Sequence, residues 1–125
     1  MNSFEELECY RAARRIRCEA SKFCKTLPGN ERFRLVDQML RASRSVTANI
    51  AEGYGRHHHR ENLQFLRQAR GSLYETIEHY HTALDESYIT TEQHSIRRAE
   101  VEEAIRILNG FIRYVNGCAE RQHRR

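Results

Sequence analysis

The sequence is poor in the residues that make tight turns, with one proline and six glycines among 125 residues. A β-sandwich or β-barrel needs a turn signal about every 8–12 residues, so this composition argues against an all-β fold. The chain also lacks an apolar run of about 20 residues, the length that a membrane-spanning helix needs. Its start is acidic, whereas a secretory signal peptide begins with basic residues. We therefore expect a cytoplasmic protein with no membrane partner.

Metal and disulfide chemistry find little support in the sequence. The four cysteines are Cys9, Cys18, Cys24 and Cys118, and no two of them form a Cys-x-x-Cys pair. In a reducing cytosol we expect them to act as small, buried or half-buried apolar residues. The run His57-His58-His59 suggests a metal site, but adjacent helical side chains point about 100° apart and do not share a face. We expect no cofactor and no metal site.

Apolar residues recur at steps of three and four in four segments, which is the spacing of one face of a helix. The four stripes run from Phe4 to Leu27, from Leu35 to Gly53, from Leu63 to Leu84 and from Val101 to Ala119. We expect breaks at Pro28-Gly29, around Gly53-Tyr54-Gly55 and near Ser87-Tyr88, with the third helix beginning near His58 or His59. Short connections between long helices favour antiparallel neighbours. The sequence therefore predicts one all-α domain over residues 1–125, an up-down-up-down four-helix bundle.

Capping residues mark the predicted helix starts. Ser3 with Glu6, and Thr90 with Gln93, have the spacing of a capping box, in which each side chain bonds the backbone N–H of the other residue. Asn30 is a good N-cap residue and is expected to open the second helix. The polar residues 121–125 at the other end are expected to be frayed.

The second helix carries a polar flank beside its apolar stripe. Its members lie three or four positions apart: Gln38, Arg41, Ser45, Asn49, Glu52 and Arg56. Periodicity alone favours a flank that faces water, since amphipathic helices usually present such residues to solvent. The alternative is an interface, in which a helix or a second subunit covers the flank and satisfies its polar groups.

Positive charge is concentrated in the first part of the chain. Residues 1–70 hold 14 Lys and Arg against 8 Asp and Glu, and 19 of all 21 basic residues are arginine. Arginine can contact a phosphate through two parallel hydrogen bonds, so a basic surface of this kind suits nucleic acid. The candidate nucleic-acid-binding residues are Arg11, Arg14, Arg15, Arg41, Arg44, Arg56 and Arg60.

Several blocks of this sequence match one bacterial family. They are Phe4-Glu5-Glu6-Leu7, residues 38–53 ending in Asn49-Ile50-Ala51-Glu52-Gly53, Phe65-Leu66, and Gly71-Ser72-Leu73-Tyr74-Glu75. The chain thus resembles the four-helix-bundle proteins encoded in intervening sequences of the large-subunit (23S) ribosomal RNA gene. The run His57-His58-His59 departs from the family pattern, in which a small polar helix cap is usual.

The resemblance implies a homo-oligomer, typically a pentamer. A related branch comprises the accessory proteins of diversity-generating retroelements, in which a basic pentamer binds RNA and a reverse transcriptase. The resemblance also favours the interface interpretation of the polar flank, and Gly71 then suggests a close approach to the second helix. The oligomer or packing motif comprises Gln38, Arg41, Ser45, Asn49, Glu52, Gly53, Gly71 and Glu75.

Enzymatic function has no supporting motif, because the sequence contains neither a phosphate-binding loop nor a dinucleotide loop. The first hypothesis is a non-catalytic oligomer that binds structured RNA through its arginines. The alternative is a protein-interaction scaffold or accessory subunit without nucleic-acid contact. Apolar residues outside the stripes exceed what one core needs, which also predicts a homo-oligomer. These residues are Tyr54, Phe65, Tyr74, Phe111 and Tyr114.

Overall fold

The computed structural model describes residues 3–123. All of the regular secondary structure in this range is helical. The four helices are α1 (Glu8–Cys24), α2 (Leu35–Gly55), α3 (His59–Asp85) and α4 (Thr91–His123). Two short 3-10 turns, Phe4–Glu6 and Gly29–Glu31, precede α1 and α2. No strand occurs between Ser3 and His123, so the predicted all-α class is confirmed. No helix in that range is long and apolar enough to cross a membrane.

Each helix packs against its two neighbours in the cyclic order α1, α2, α3, α4, as in a four-helix bundle. Neighbouring helices run antiparallel. Along α2 and α3, for example, Ser45 pairs with Ser72, whereas the later Gly53 lies against the earlier Asn62. The predicted up-down-up-down arrangement is therefore confirmed.

One hydrophobic core runs through the bundle. The predicted α2 and α4 stripes are buried at every position, and in α3 only Leu84 is partly exposed. Cys9 and Cys24 belong to the same core, and burial raises the pKa of Cys9 to about 12 and that of Cys24 to about 11. These two thiols are therefore protonated apolar groups at neutral pH. Cys18 is exposed, contrary to the expectation for all four cysteines, because it lies on the outer face of α1.

The capping box at the start of α4 is confirmed. The Thr90 N–H donates to Gln93 Oε1 and the Gln93 N–H donates to Thr90 Oγ1, each over 3.1 Å. The box predicted at Ser3 and Glu6 is wrong. The Ser3 hydroxyl accepts the Glu5 N–H instead, and it caps only the 3-10 turn.

Three other predicted helix ends are also corrected. Asn30 lies inside a 3-10 turn, and α2 begins only at Leu35, because Arg34 has a backbone conformation (φ −119°, ψ −105°) outside the helical region. At the end of α1, helical hydrogen bonding stops at Cys24, before the expected Leu27. At the other end of the chain, α4 continues to His123, so residues 121–123 are helical and not frayed. Residues 124 and 125 lie outside the described range.

Candidate nucleic-acid interface

Three of the seven predicted arginines come together on the outer face of α1. Arg11, Arg14 and Arg15 are exposed, and they line a shallow depression of about 670 Å³ together with Glu5, Tyr10 and Cys18. Steps of three and four residues place these side chains on one side of a helix. The sequence pattern therefore translates directly into a local cluster of guanidinium groups.

The three guanidinium groups form no ion pair with a carboxylate of residues 3–123, although Glu5 lines the same depression. The Arg11 Nε donates a long hydrogen bond of 3.4 Å to the backbone carbonyl of Glu5. The charge of the cluster is therefore available to an anion from outside the molecule.

The other predicted arginines lie apart from this cluster. Arg44 is exposed on α2, and its charge acts on the buried Cys24 thiol of α1. Arg60 is exposed near the start of α3, at the end of the bundle where α1 begins. Arg41 pairs with Asp37 at 3.1 Å, and Arg56 pairs with Glu52 at 3.4 Å. Such exposed pairs contribute at most about 1 kcal/mol, so they compete only weakly with a phosphate.

Two lysines outside the predicted set of nucleic-acid-binding residues extend the basic face of α1. Lys22 lines a second depression with Arg15 and Cys18, and the exposed Lys25 follows at the end of the helix. Their spacing was the available signal, because Lys22 lies four residues after Cys18 and Lys25 lies three residues after Lys22. We call the set Arg11, Arg14, Arg15, Lys22 and Lys25 the cationic stripe.

The polar flank of α2 divides into a packed part and an exposed part. Ser72 on α3 donates a hydrogen bond of 3.0 Å to Ser45 Oγ, and Asn49 Nδ2 donates to the same oxygen over 2.9 Å. Ser45 therefore contacts α3, whereas Asn49 bonds Ser45 within α2. Within this chain the interface expectation does not hold for the exposed members of the predicted motif, which are Gln38, Arg41, Glu52 and Glu75.

At Gly53 the backbone of α2 lies close to α3. A Cβ atom at this position would lie 2.5 Å from Asn62 Oδ1 and 3.0 Å from Phe65 Cβ, so only glycine fits. The same Asn62 Oδ1 is a buried atom without a hydrogen-bond partner, wedged against the glycine. Gly71 differs, because a Cβ there would meet nothing within 4 Å. The expected close approach at Gly71 is therefore wrong within the bundle.

Comparison with known proteins identifies the family of this chain. Residues 5–110 match the 23S rRNA-intervening sequence protein family. The chain belongs to this family. No curated protein matches it in sequence.

A solved structure of a related fold supports the architecture of this family member. It is the crystal structure of a protein of unknown function from the S23 ribosomal protein family of Bacteroides thetaiotaomicron VPI-5482. The two chains superpose with a TM-score of 0.77 at 22% sequence identity, over 84% of this chain and 95% of the other. At this identity the similarity shows a shared fold.

This family member exposes fewer of its aromatic residues than the sequence suggested. Tyr74 is 56% exposed and Tyr114 is 65% exposed, as expected. Tyr54, Phe65 and Phe111 are half-buried, which corrects the expectation that they are exposed. Tyr54 and Phe111 pack against the core, and Arg56 covers the Phe65 ring at 5.0 Å. Two exposed apolar residues were missed, namely Phe33 and Ile96.

Histidines of this family member fall into two sites. His57 has φ 56°, which ends α2 and lets α3 begin at His59, close to the predicted start. The second site was not predicted: His81 Nδ1 lies 2.8 Å from His94 Nε2, between α3 and α4. Burial, and then the nearby His81 and Arg98, lower the pKa of His94. No group of three or more His, Cys, Asp or Glu in residues 3–123 could hold a metal ion.

Proposed function

We propose that this protein is a non-catalytic oligomer that binds structured RNA through the arginine face of α1. One observation carries the proposal: Arg11, Arg14 and Arg15 surround a single depression and have no carboxylate partner in the described chain. The net charge of +4 adds a weak general attraction for polyanions. Arginine suits this role because its planar group can bond two phosphate oxygens at once.

The proposal predicts a strong dependence of RNA affinity on salt. Each phosphate that a cationic side chain neutralises releases counterions, and the logarithm of the binding constant falls by roughly 0.7–0.9 per contact for each unit of log salt. Three arginine contacts alone therefore give a slope of about −2 to −3. Filter binding of a structured RNA at salt concentrations from about 50 to about 400 mM measures this slope.

The control compares two triple variants with the same change in charge. Replacing Arg11, Arg14 and Arg15 with glutamine is expected to remove most of the salt slope. The matched variant replaces Arg98, Arg113 and Arg121, which are exposed on α4, with glutamine. It should keep most of the slope. Equal losses in the two variants, or wild-type binding that ignores salt, would contradict an α1 binding face.

The oligomeric part of the proposal rests on the surface of α3 and α4. Tyr74 and Tyr114 are large apolar side chains that remain more than half exposed in the single chain. Residues of this kind are enriched where proteins associate. We propose that a second copy covers them, and the family resemblance favours a pentamer.

The alternative function is an accessory subunit or scaffold that holds another protein, such as a reverse transcriptase, without touching RNA. The same exposed tyrosines favour it, because they would serve a different protein equally well. Affinity purification after nuclease treatment separates the two functions. Stoichiometric recovery of one protein, together with absent RNA binding by the purified chain, would select the alternative.

A further inference from the structure

The cationic stripe has a shape that points to one class of RNA. We infer that its ligand is an A-form RNA double helix, held by phosphates of both strands across the narrow major groove and independently of sequence. This inference rests on the proposed function and specifies its ligand.

The stripe is long and straight, and little negative charge competes with it. From Arg11 to Lys25 it extends about 20 Å at the rise of an α-helix. Glu5 lines the depression at its first end. The single acidic residue between positions 9 and 30 is Glu19, which Arg97 binds at 3.2 Å. A rigid row of cations is complementary to a rigid row of phosphates, which a flexible single strand presents only at an entropic cost.

The basic surface is wider than the cationic stripe, because Arg44 of α2 adds a cation on the other side of α1. Arg15 and Lys22 line the depression between α1 and α4. Glu100 and Glu103, the α4 carboxylates in that depression, are already bound to Arg97 and Arg106. On the opposite side, Arg44 of α2 lies close enough to α1 for its charge to act on Cys24. Cations on both sides of α1, about one helix width apart, suit two rows of phosphates that face each other.

Aromatic rings on this face are occupied within the protein. Tyr10, which lines the depression of Arg11, packs edge-on against Phe4 with ring centroids 4.9 Å apart. Phe23 turns to the core instead, where it packs against Tyr80 at 5.5 Å. Proteins that hold single strands usually stack bases on exposed aromatic rings. The face therefore suits a nucleic acid whose bases are already stacked inside a duplex.

The position of α1 favours A-form over B-form geometry. α1 lies between α2 and α4 in the bundle and does not project from it, so it is poorly placed to enter the wide major groove of B-DNA. In A-form RNA the major groove is deep and narrow, and side chains do not read its bases. A flat cationic face can then contact the phosphates along both edges of the groove.

The test compares four probes of one sequence: a 20-base-pair RNA duplex (about three times the stripe length), the DNA duplex, and each RNA single strand. The RNA duplex is expected to bind at least tenfold more tightly than the other probes, and an RNA duplex of unrelated sequence should bind equally well. Replacing Lys22 and Lys25 with glutamine should weaken duplex binding severalfold. The same change at the exposed Arg67 of α3 and Arg113 of α4 is the matched control and should have little effect.

Cys18 provides a second readout inside the stripe. It is exposed, whereas Cys9 and Cys24 are buried, so in a Cys118→Ser variant a maleimide reagent reports on Cys18. Saturating RNA duplex is expected to slow this alkylation at least tenfold. Unchanged alkylation in the presence of a tightly bound duplex would place the duplex elsewhere and overturn the inference.

The outcomes separate this inference from the proposed function. If a single strand or the DNA duplex binds as tightly as the RNA duplex, the A-form assignment is wrong while RNA binding stands. If the affinities of two unrelated RNA duplexes differ tenfold, sequence independence is wrong. If none of the RNA probes binds, both the inference and the proposed function fall.

Discussion

Gly53 and Gly71 show how much the surroundings of one residue type can differ within a bundle. Glycine in a helix costs about 0.5–1 kcal/mol relative to alanine, so each position needs a reason to keep it. At Gly53 the reason is the contact with Asn62 and Phe65 of α3. At Gly71 the space around the backbone is open, and the single chain offers no such reason.

Substituting alanine at the two glycines is expected to have opposite effects. Gly53→Ala should lower the free energy of unfolding by about 1–3 kcal/mol, because α3 must move away from the new methyl group. Gly71→Ala should raise it by about 0.5–1 kcal/mol, because the unfolded chain loses freedom and nothing clashes in the folded one. Urea denaturation of the two variants measures both changes. A stabilised Gly53→Ala variant would show that the helices do not approach as closely as described.

The pair of His81 and His94 predicts a pH dependence of stability. Burial is the main cause of the lowered pKa of His94, and the charges of His81 and Arg98 act in the same direction, against Asp85. The pKa of His94 in the folded state lies below its unfolded value of about 6.5. The free energy of unfolding is therefore at its full value above that pH, where His94 is neutral in both states. The free energy of unfolding decreases as the pH falls towards the folded-state pKa, by up to about 1.4 kcal/mol per pH unit for one proton.

Unfolding free energies at pH 7.5 and pH 5.5, roughly one unit on either side of the unfolded pKa, measure this effect. In a His94→Gln variant the difference between the two conditions should shrink. His58→Gln removes an exposed histidine and is the control, so it should leave the difference unchanged. The lowered pKa of His79, which also results mainly from burial, adds a dependence of the same sign in all three proteins. An unchanged difference in His94→Gln would exclude His94 as the source.

Of the two capping patterns in the sequence, one starts an α-helix and the other does not. The Thr90 and Gln93 box forms because both residues adjoin the first turn of a long helix. The similar pattern at Ser3 fails because Leu7, with extended backbone (φ −66°, ψ 132°), separates the first turn from α1. Leu7 is buried in the core, and its extended backbone interrupts the helix that the local sequence favours.

Loss of the Thr90 cap is expected to destabilise the protein more than loss of Ser3. Thr90→Ala should lower the unfolding free energy by about 1 kcal/mol, since it leaves an N–H of the first turn of α4 without its partner. Ser3→Ala removes the cap of only a short 3-10 turn and should cost a few tenths of a kcal/mol by the same reasoning. Thermal unfolding followed by circular dichroism ranks the two variants. The reverse ranking would show that the N-terminal turn carries more stability than its contacts indicate.

At the scale of the whole molecule, the exposed tyrosines predict association. Light scattering of the wild-type protein is expected to give a multiple of the chain mass of 14.8 kDa, with five copies favoured by the family resemblance. Tyr74→Ser combined with Tyr114→Ser should shift the population towards the single chain, because each removes a large apolar contact.

Phe33→Ser is the matched control for that experiment. Phe33 is 83% exposed, but it lies in the connection between α1 and α2, away from the two tyrosines. It should leave the mass unchanged. Dissociation by Phe33→Ser alone would move the interface to that end of the bundle, and a wild-type mass of 14.8 kDa would refute association.

The sequence by itself determined the four helices and nearly all of the core, because the period of apolar residues is local information that each helix carries alone. It also located the arginine cluster of α1, since residues three and four apart on one helix are neighbours in any fold. These features would persist however the helices were rotated against one another.

Only the tertiary structure decided which polar and small residues meet another helix. Ser45 reaches Ser72, and His81 reaches His94, across gaps in sequence that no periodicity relates. Gly53 is closely packed, whereas Gly71 is open, although both occur inside helical stretches of the chain. The physical reason is that such contacts depend on the rotation and spacing of packed helices, which are set by the whole core rather than by any single segment.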